Sequence, residues 1–202
     1  LLTQAAALID LPDDQYDQQD IYLICAHFPA FGGQVNINKR QMQADVIIQH
    51  VADFKTPGDN IDLAQGTPFI FAGDFNIYDA DPAYHLTTLI TGDVVYEYQF
   101  GEDVQPDWDD SPLTDANPSH NGRELDYYTW RNDESGFNPG ALDRVIYSDS
   151  VMTARYAIVL NTKTLTQENL MKYDLQPDDV VMISETGYFD HFPMVIDFDL
   201  NE

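Results

Sequence analysis

The apolar residues of this chain come in short runs that stop abruptly at polar side chains, and this restricts the fold more than any other feature. Ile21-Tyr22-Leu23-Ile24-Cys25-Ala26 and Phe69-Ile70-Phe71-Ala72 are bounded too closely for buried helices and read as strands. The first, apolar almost throughout, reads as a strand buried on both faces. Residues 7–11, 127–131, 142–147, 154–160 and 193–198 read as further strands, and Pro12 to Gln15 as a polar turn. Met42, Val46, Ile47, Val51 and Phe54 fall close to helical spacing, which predicts a helix over 39–54 after a loop at 28–38. Asp81-Pro82 has the chemistry of an N-cap followed by the first helical position, so a short helix to Leu89 is expected. A third helix is predicted at 166–173. Strands dominate, with a few helices between them, and the sum is sheet layers flanked by helices, the α+β class.

At 202 residues the chain can bury one sizeable core, and we read 1–202 as a single domain. No run of about 18 uncharged apolar residues occurs, so no helical membrane span is predicted. The opening Leu1-Leu2-Thr3 carries neither an initiator Met nor a leader-like pattern, and we expect the native protein to be longer. Cys25, the single cysteine, is read as a small core residue and leaves the redox compartment undetermined.

Charge is the extreme feature of the composition: 35 acidic against 9 basic residues, a formal −26. Such a surface suits a secreted protein or a high-salt setting, repels polyanions and gathers divalent cations. It argues against tight nonspecific DNA binding, which needs Lys and Arg to displace phosphate counterions. Residues 101–122, rich in Asp, Pro, Ser and Asn with no apolar period, read as an acidic loop insertion. That loop is either plainly solvated or faces a substrate or ion; its acids lack the spacing of an EF-hand loop.

Polar groups of chemical interest recur where the apolar runs begin or end. His27 closes the run at 21–26, Asp74 and Asn76 follow 69–72 across Gly73, Asp143 opens 142–147, and Asp190-His191 precedes 193–198. Strand ends can bring such groups from distant positions into one cleft. Oxygen ligands hold a hard cation, the cation offsets charge on phosphate oxygens, and His or Asp moves protons. Each residue alone has an ordinary explanation as a hydrogen-bonded histidine, a turn or a cap. Their order and spacing carry the argument.

Together these segments resemble the endonuclease/exonuclease/phosphatase family, a deoxyribonuclease-like group of metal-dependent phosphoesterases. Gly73-Asp74-Phe75-Asn76 matches its G-D-x-N motif, and Ala141-Leu142-Asp143-Arg144-Val145 is similar to its R-I-D-Y segment. Phe189-Asp190-His191-Phe192-Pro193 resembles S-D-H-x-P, with Phe189 in place of Ser. Ile24-Cys25-Ala26-His27 looks like the strand that ends in a catalytic His in the nuclease and sphingomyelinase branches. Arg40 and Gln43 lie on a helix where family members carry Arg and Gln, with a structural role.

The resemblance implies two β-sheets packed face to face with helices outside, incomplete at the N-terminus. It implies Mg²⁺-dependent hydrolysis of a phosphate ester (nucleic acid, inositol or lipid), with Mn²⁺ as a substitute ion. His191, oriented by Asp143, would contact the scissile phosphate or act as base. Asp74 would orient the attacking water, Asn76 would hold a phosphate oxygen, and His27 would protonate the leaving oxygen. Asp190, with Asp74 and Asn76, would lie at the metal. Thr129-Trp130-Arg131, then Asp143-Arg144, distantly echo the inositol-phosphatase branch, where basic residues such as Arg131 and Arg144 would grip phosphates, the alternative being that Arg144 pairs with a surface carboxylate. The family's N-terminal Asn and the Glu that is its principal metal ligand have no counterpart here; Glu124 and Glu185 come too late, so that Glu is expected upstream. Without the N-terminal strands, one sheet should present an open edge that invites a partner strand. The competing reading is a catalytically degenerate acidic binding module that kept the fold.

Overall fold

The computed structural model describes residues 4–16, 19–78, 84–122, 125–180, 182–184 and 187–201; Asp81-Pro82, Glu124 and Glu185 lie outside them. In chain order the elements are β1 (Gln4–Ile9), α1 (Asp13–Tyr16), β2 (Ile21–His27), α2 (Gln34–Lys55), β3 (Phe69–Asp74), α3 (Tyr84–Thr91) and α4 (Glu97–Phe100). There follow β4 (Thr114–Asp115), β5 (Ser119–His120), β6 (Asp143–Tyr147), β7 (Met152–Val159), α5 (Gln167–Tyr173), β8 (Met182–Ser184), β9 (Gly187–Phe189) and β10 (Met194–Leu200). They make two sheets with helices, in the orders β1-β2-β3-β6-β4 and β10-β7-β5, and a separate β8-β9 hairpin. The class is α+β, as expected. The chain divides into two compact units interleaved in sequence: Leu1–Ala116 with Arg144–Thr153 and Asp199–Glu202, and Asn117–Asp143 with Ala154–Phe198.

In the first unit, β1 runs antiparallel to β2, and β2 parallel to β3 from Tyr22↔Phe69 to His27↔Asp74. Strand alternation sends Tyr22, Ile24 and Ala26 into a core shared with Ala44, Ile47, Ile48, Val51 and Phe54 of α2. The opposite face is open. Cys25 and His27 are exposed, so β2 is buried on one face rather than two, and Cys25 is not a core residue. The parity of the strand decides this, since Cys25 alternates with Ile24 and Ala26. β1 is an end strand of the sheet order, and most of its residues are exposed.

Helix α2 begins five residues before the predicted start. Its buried side mixes Arg40, Gln41, Gln43 and Asp45 with apolar residues, which blurs the helical period in its first half. Two of these buried polar side chains hold loops outside the helix. Arg40, fully buried, donates through Nη1 to the carbonyls of Pro29 (2.8 Å) and Phe31 (2.9 Å), fixing the loop after β2. Asp45 accepts from the backbone N–H of Val95 (3.2 Å) and Tyr96 (3.0 Å). Within 101–122, β4 forms and the preceding acidic stretch is pinned. Buried Asp107 accepts from Trp108 N, Ser150 N and Ser150 Oγ, while the Trp108 indole donates to Thr67 O at 2.7 Å. The Lys55 ammonium binds the carbonyls of Gln105 and Asp107.

In the second unit, β5 pairs in parallel with β7, and Val159 and Phe192 form a small core with Tyr128 and Met194. Thr166 caps α5 by accepting from Asn169 N at 3.2 Å, where the sequence placed the helix start. The strand predicted at 127–131 is reduced to single-residue bridges from Trp130 to Gly140 and to His191. Tyr127 is exposed, so its β-propensity meets no packing surface there.

Candidate active site

The parallel register of β2 and β3 sets His27 beside Asp74 where the two strands end. Gly73 is required at this point. Its φ is +144°, and a Cβ there would stand 2.0 Å from Ala26 O on the neighbouring strand. His27 Nε2 lies 3.4 Å from Asp74 Oδ2; the imidazole is 70% exposed, the carboxylate 16%. The turn that follows locks this carboxylate. Asn76, at φ +49°, donates its backbone N–H to Asp74 Oδ1 (2.9 Å) and its amide to Asp74 Oδ2 (2.9 Å) and Phe28 O (3.0 Å). Tyr78 OH donates to Asn76 Oδ1 at 3.3 Å, and Phe75 packs edge-on against Phe28. His27 borders a shallow depression of about 480 Å³ lined by Ala5, Cys25, Ala72 and Gly73.

A second group gathers in the other unit. His191 Nδ1 and Asp143 Oδ2 are 2.7 Å apart, with the side chains 39% and 20% exposed. An ionised carboxylate only accepts, so the imidazole donates from Nδ1, and in the neutral form Nε2 is then the accepting nitrogen. The segment from Thr129 to Arg131 frames this pair. Thr129 Oγ1 accepts from Asp143 N at 2.8 Å, Phe192 N donates to Thr129 O at 2.7 Å, and Arg131 N donates to Asp190 O at 2.9 Å. The Trp130 indole donates to Asp190 Oδ2 at 2.6 Å. Phe192 is buried against His120 and Tyr128, anchoring the segment that bears His191.

The structure thus places the six residues as two triplets, His27, Asp74 and Asn76 in one unit and Asp143, Asp190 and His191 in the other. The two arginines differ. Arg131, half-exposed, donates to Asp133 Oδ1 (2.6 Å) and Tyr128 OH (3.2 Å), bonds that raise its affinity for the proton and pull Asp133 below the usual carboxylate range. Arg144 is nearly buried, and its Nη1 holds Asp115 Oδ2 at 2.7 Å. Thr129 and Trp130 entered the sequence reading only as neighbours of Arg131 in the inositol-phosphatase echo, with no role of their own. A Trp in an otherwise polar stretch, whose N–H needs an acceptor, was the available signal. Among the described residues no three His, Cys, Asp or Glu side chains come together as a metal site. The carboxylates present do not by themselves fit a complete Mg²⁺ centre.

No protein-family model and no curated protein matches the chain. Solved structures do. The human Nocturnin catalytic domain with bound sulfate is 19% identical with a TM-score of 0.52, covering 99% of this chain and 57% of that one. Beta toxin from Staphylococcus aureus, in a mutant with bound magnesium ions, is 14% identical with a TM-score of 0.50, covering 96% and 56%. An endonuclease/exonuclease/phosphatase from Bacteroides vulgatus is 16% identical with a TM-score of 0.50, covering 93% and 52%. The chain therefore spans little more than half the length of these three structures, while almost all of it is matched. On that likeness, this chain has the fold of the deoxyribonuclease-like endonuclease/exonuclease/phosphatase superfamily.

Proposed function

We propose that the chain forms the larger part of one catalytic domain, a hydrolase of phosphate esters. The observation that carries this reading is the Asp143–His191 pair at 2.7 Å, standing on the motif segments that the resemblance assigned to catalysis. The exposed His27 beside a locked Asp74 supports it from the first unit. In the proposed reaction the residues of the two triplets take the roles that the resemblance assigned them. A water oxygen attacks phosphorus in line with the leaving oxygen; Asp74 orients the water and His191 Nε2 takes its proton. The P–O bond to the leaving group breaks as His27 protonates that oxygen. Asn76 holds a phosphate oxygen, and Arg131 offers its guanidinium edge to a second phosphate. This is positioning plus charge stabilisation, which phosphoryl transfer chiefly needs.

Metal dependence belongs to the same proposal. Mg²⁺, or Mn²⁺ in its place, would be shared by Asp74, Asn76 and Asp190 with a Glu supplied outside the chain, and would neutralise developing phosphate charge. Residues 1–202 alone should then bind Mg²⁺ weakly and turn over slowly.

The test uses the full encoded protein against single- and double-stranded DNA, RNA, inositol phosphates and sphingomyelin, with Mg²⁺, Mn²⁺ or chelator. Activity on one class that disappears with chelator, and falls about 10²–10⁴-fold in His191→Ala, supports the hydrolase and names its substrate. His50→Gln, remote on α2, should keep parental turnover. Inertness on every class, or a fully active His191→Ala, favours the acidic binding module instead.

A further inference from the structure

The proposed chemistry asks Asp190 and His191 to keep fixed directions although both sit on a half-exposed connection just before β10. The backbone bridge to residues 129–131 fixes their main chain, and the Asp143 carboxylate fixes the His191 ring. The Asp190 side chain is held by the Trp130 indole, whose N–H meets Oδ2 at 2.6 Å. An indole N–H donates and cannot accept, so it selects the carboxylate oxygen and no competing donor. Residue 130 is partly buried and its main chain is bridged to Gly140 and His191, and the rigid indole has only two side-chain torsions, so it is a stiffer donor than Lys or Arg would be in the same place.

Resting on the hydrolase reading, we propose that Trp130 is a positioning residue of the active site, acting through Asp190 rather than on the substrate. Its hydrogen bond sets the rotamer of Asp190, and with it the environment into which His191 projects. Small displacements of such groups lower rates by about a hundredfold, and the loss should fall on kcat because the bond does not touch bound substrate.

Two measurements test this on the full encoded protein. The first compares kcat and KM of parent, Trp130→Phe, Asp190→Asn and the double variant on bis(p-nitrophenyl) phosphate. A second form, with position 130 carrying benzothienylalanine, keeps the bicyclic ring and replaces only the N–H by sulfur. We expect kcat to fall about ten- to hundredfold in Trp130→Phe and in the sulfur analogue, with KM within about threefold and an unchanged melting temperature. The double variant should be no slower than Asp190→Asn. The second measurement follows the indole ¹H–¹⁵N resonances. In Asp190→Asn the Trp130 signal should move to weaker hydrogen bonding while that of Trp108, bonded to Thr67 O, stays in place. Parental kcat in the sulfur analogue, multiplicative losses in the double variant, or a Trp130 signal indifferent to Asp190→Asn each overturn the assignment while the hydrolase stands. A parent inert toward every phosphate ester defeats the hydrolase reading and this assignment with it.

Discussion

At the scale of single residues, Gly73 shows what a motif glycine does. It lets β3 run alongside β2 at the point where His27 and Asp74 become neighbours, because the space a Cβ would fill belongs to Ala26 O. Gly73→Ala should therefore destabilise the chain by roughly 3 kcal/mol, from strain at positive φ plus overpacking, read as a lower urea midpoint. His50 gives the pH dependence. It lies between Tyr22, whose hydroxyl is 2.8 Å from Nε2, and Phe54; burial lowers its pKa, an effect opposed by Asp53. The folded state thus binds a proton less readily than the unfolded one, whose histidine titrates near about 6.5. This part of the stability is complete above that value and is lost as pH falls through it toward the depressed folded value. Between pH 7 and pH 5 the melting temperature of the parent should drop more than that of His50→Gln.

At the scale of elements, the cap of α5 is the simplest case. Thr166→Ala removes the acceptor for Asn169 N and should cost about 1 kcal/mol by denaturant unfolding. This cap, like β2 and β3, was legible because local chemistry decides it: hydroxyl spacing for the cap, unbroken apolar runs for the strands. The first half of α2 was not. Arg40 and Asp45 are there to satisfy carbonyls and N–H groups of distant loops, and no period within the helix announces such partners. The strand expected at 127–131 failed for the complementary reason, since its aromatic residues promise pairing while the partners are Gly140 and His191 alone. For the candidate site, the motif residues were readable one by one, and so was the prospect that Asp143 orients His191. The partner of Trp130 was invisible, because a hydrogen bond spanning 60 residues leaves no local trace.

For the whole molecule, charge is the dominant variable. With 35 acids and 9 bases, self-repulsion acts against compactness over distances that salt can screen. Raising NaCl from about 10 mM to 500 mM should lift the melting temperature by several degrees, and a charge-balanced variant of the exposed acids should lose most of that response. The same field bears on substrate choice. On the proposed hydrolase reading, a short phosphate ester approaching Arg131 would meet far less repulsion than a duplex along its length, so catalytic efficiency on polymeric substrates should rise more steeply with ionic strength than on monomeric ones.

The interleaving of the two units has a consequence for how the protein is made. Phe69 bonds reciprocally with Ser148, N–H to hydroxyl at 3.0 Å and carbonyl to N–H at 3.1 Å, across a separation of 79 residues. A ribosome adding about 5–20 residues per second takes roughly four to sixteen seconds to cover that stretch. Throughout that time β3, apolar and already aligned with β2, has a bare edge facing the cytosol or translocon. Nascent chains stalled anywhere between residues 75 and 147 should accordingly be the ones that recruit chaperones, and release of the chaperone should coincide with emergence of β6.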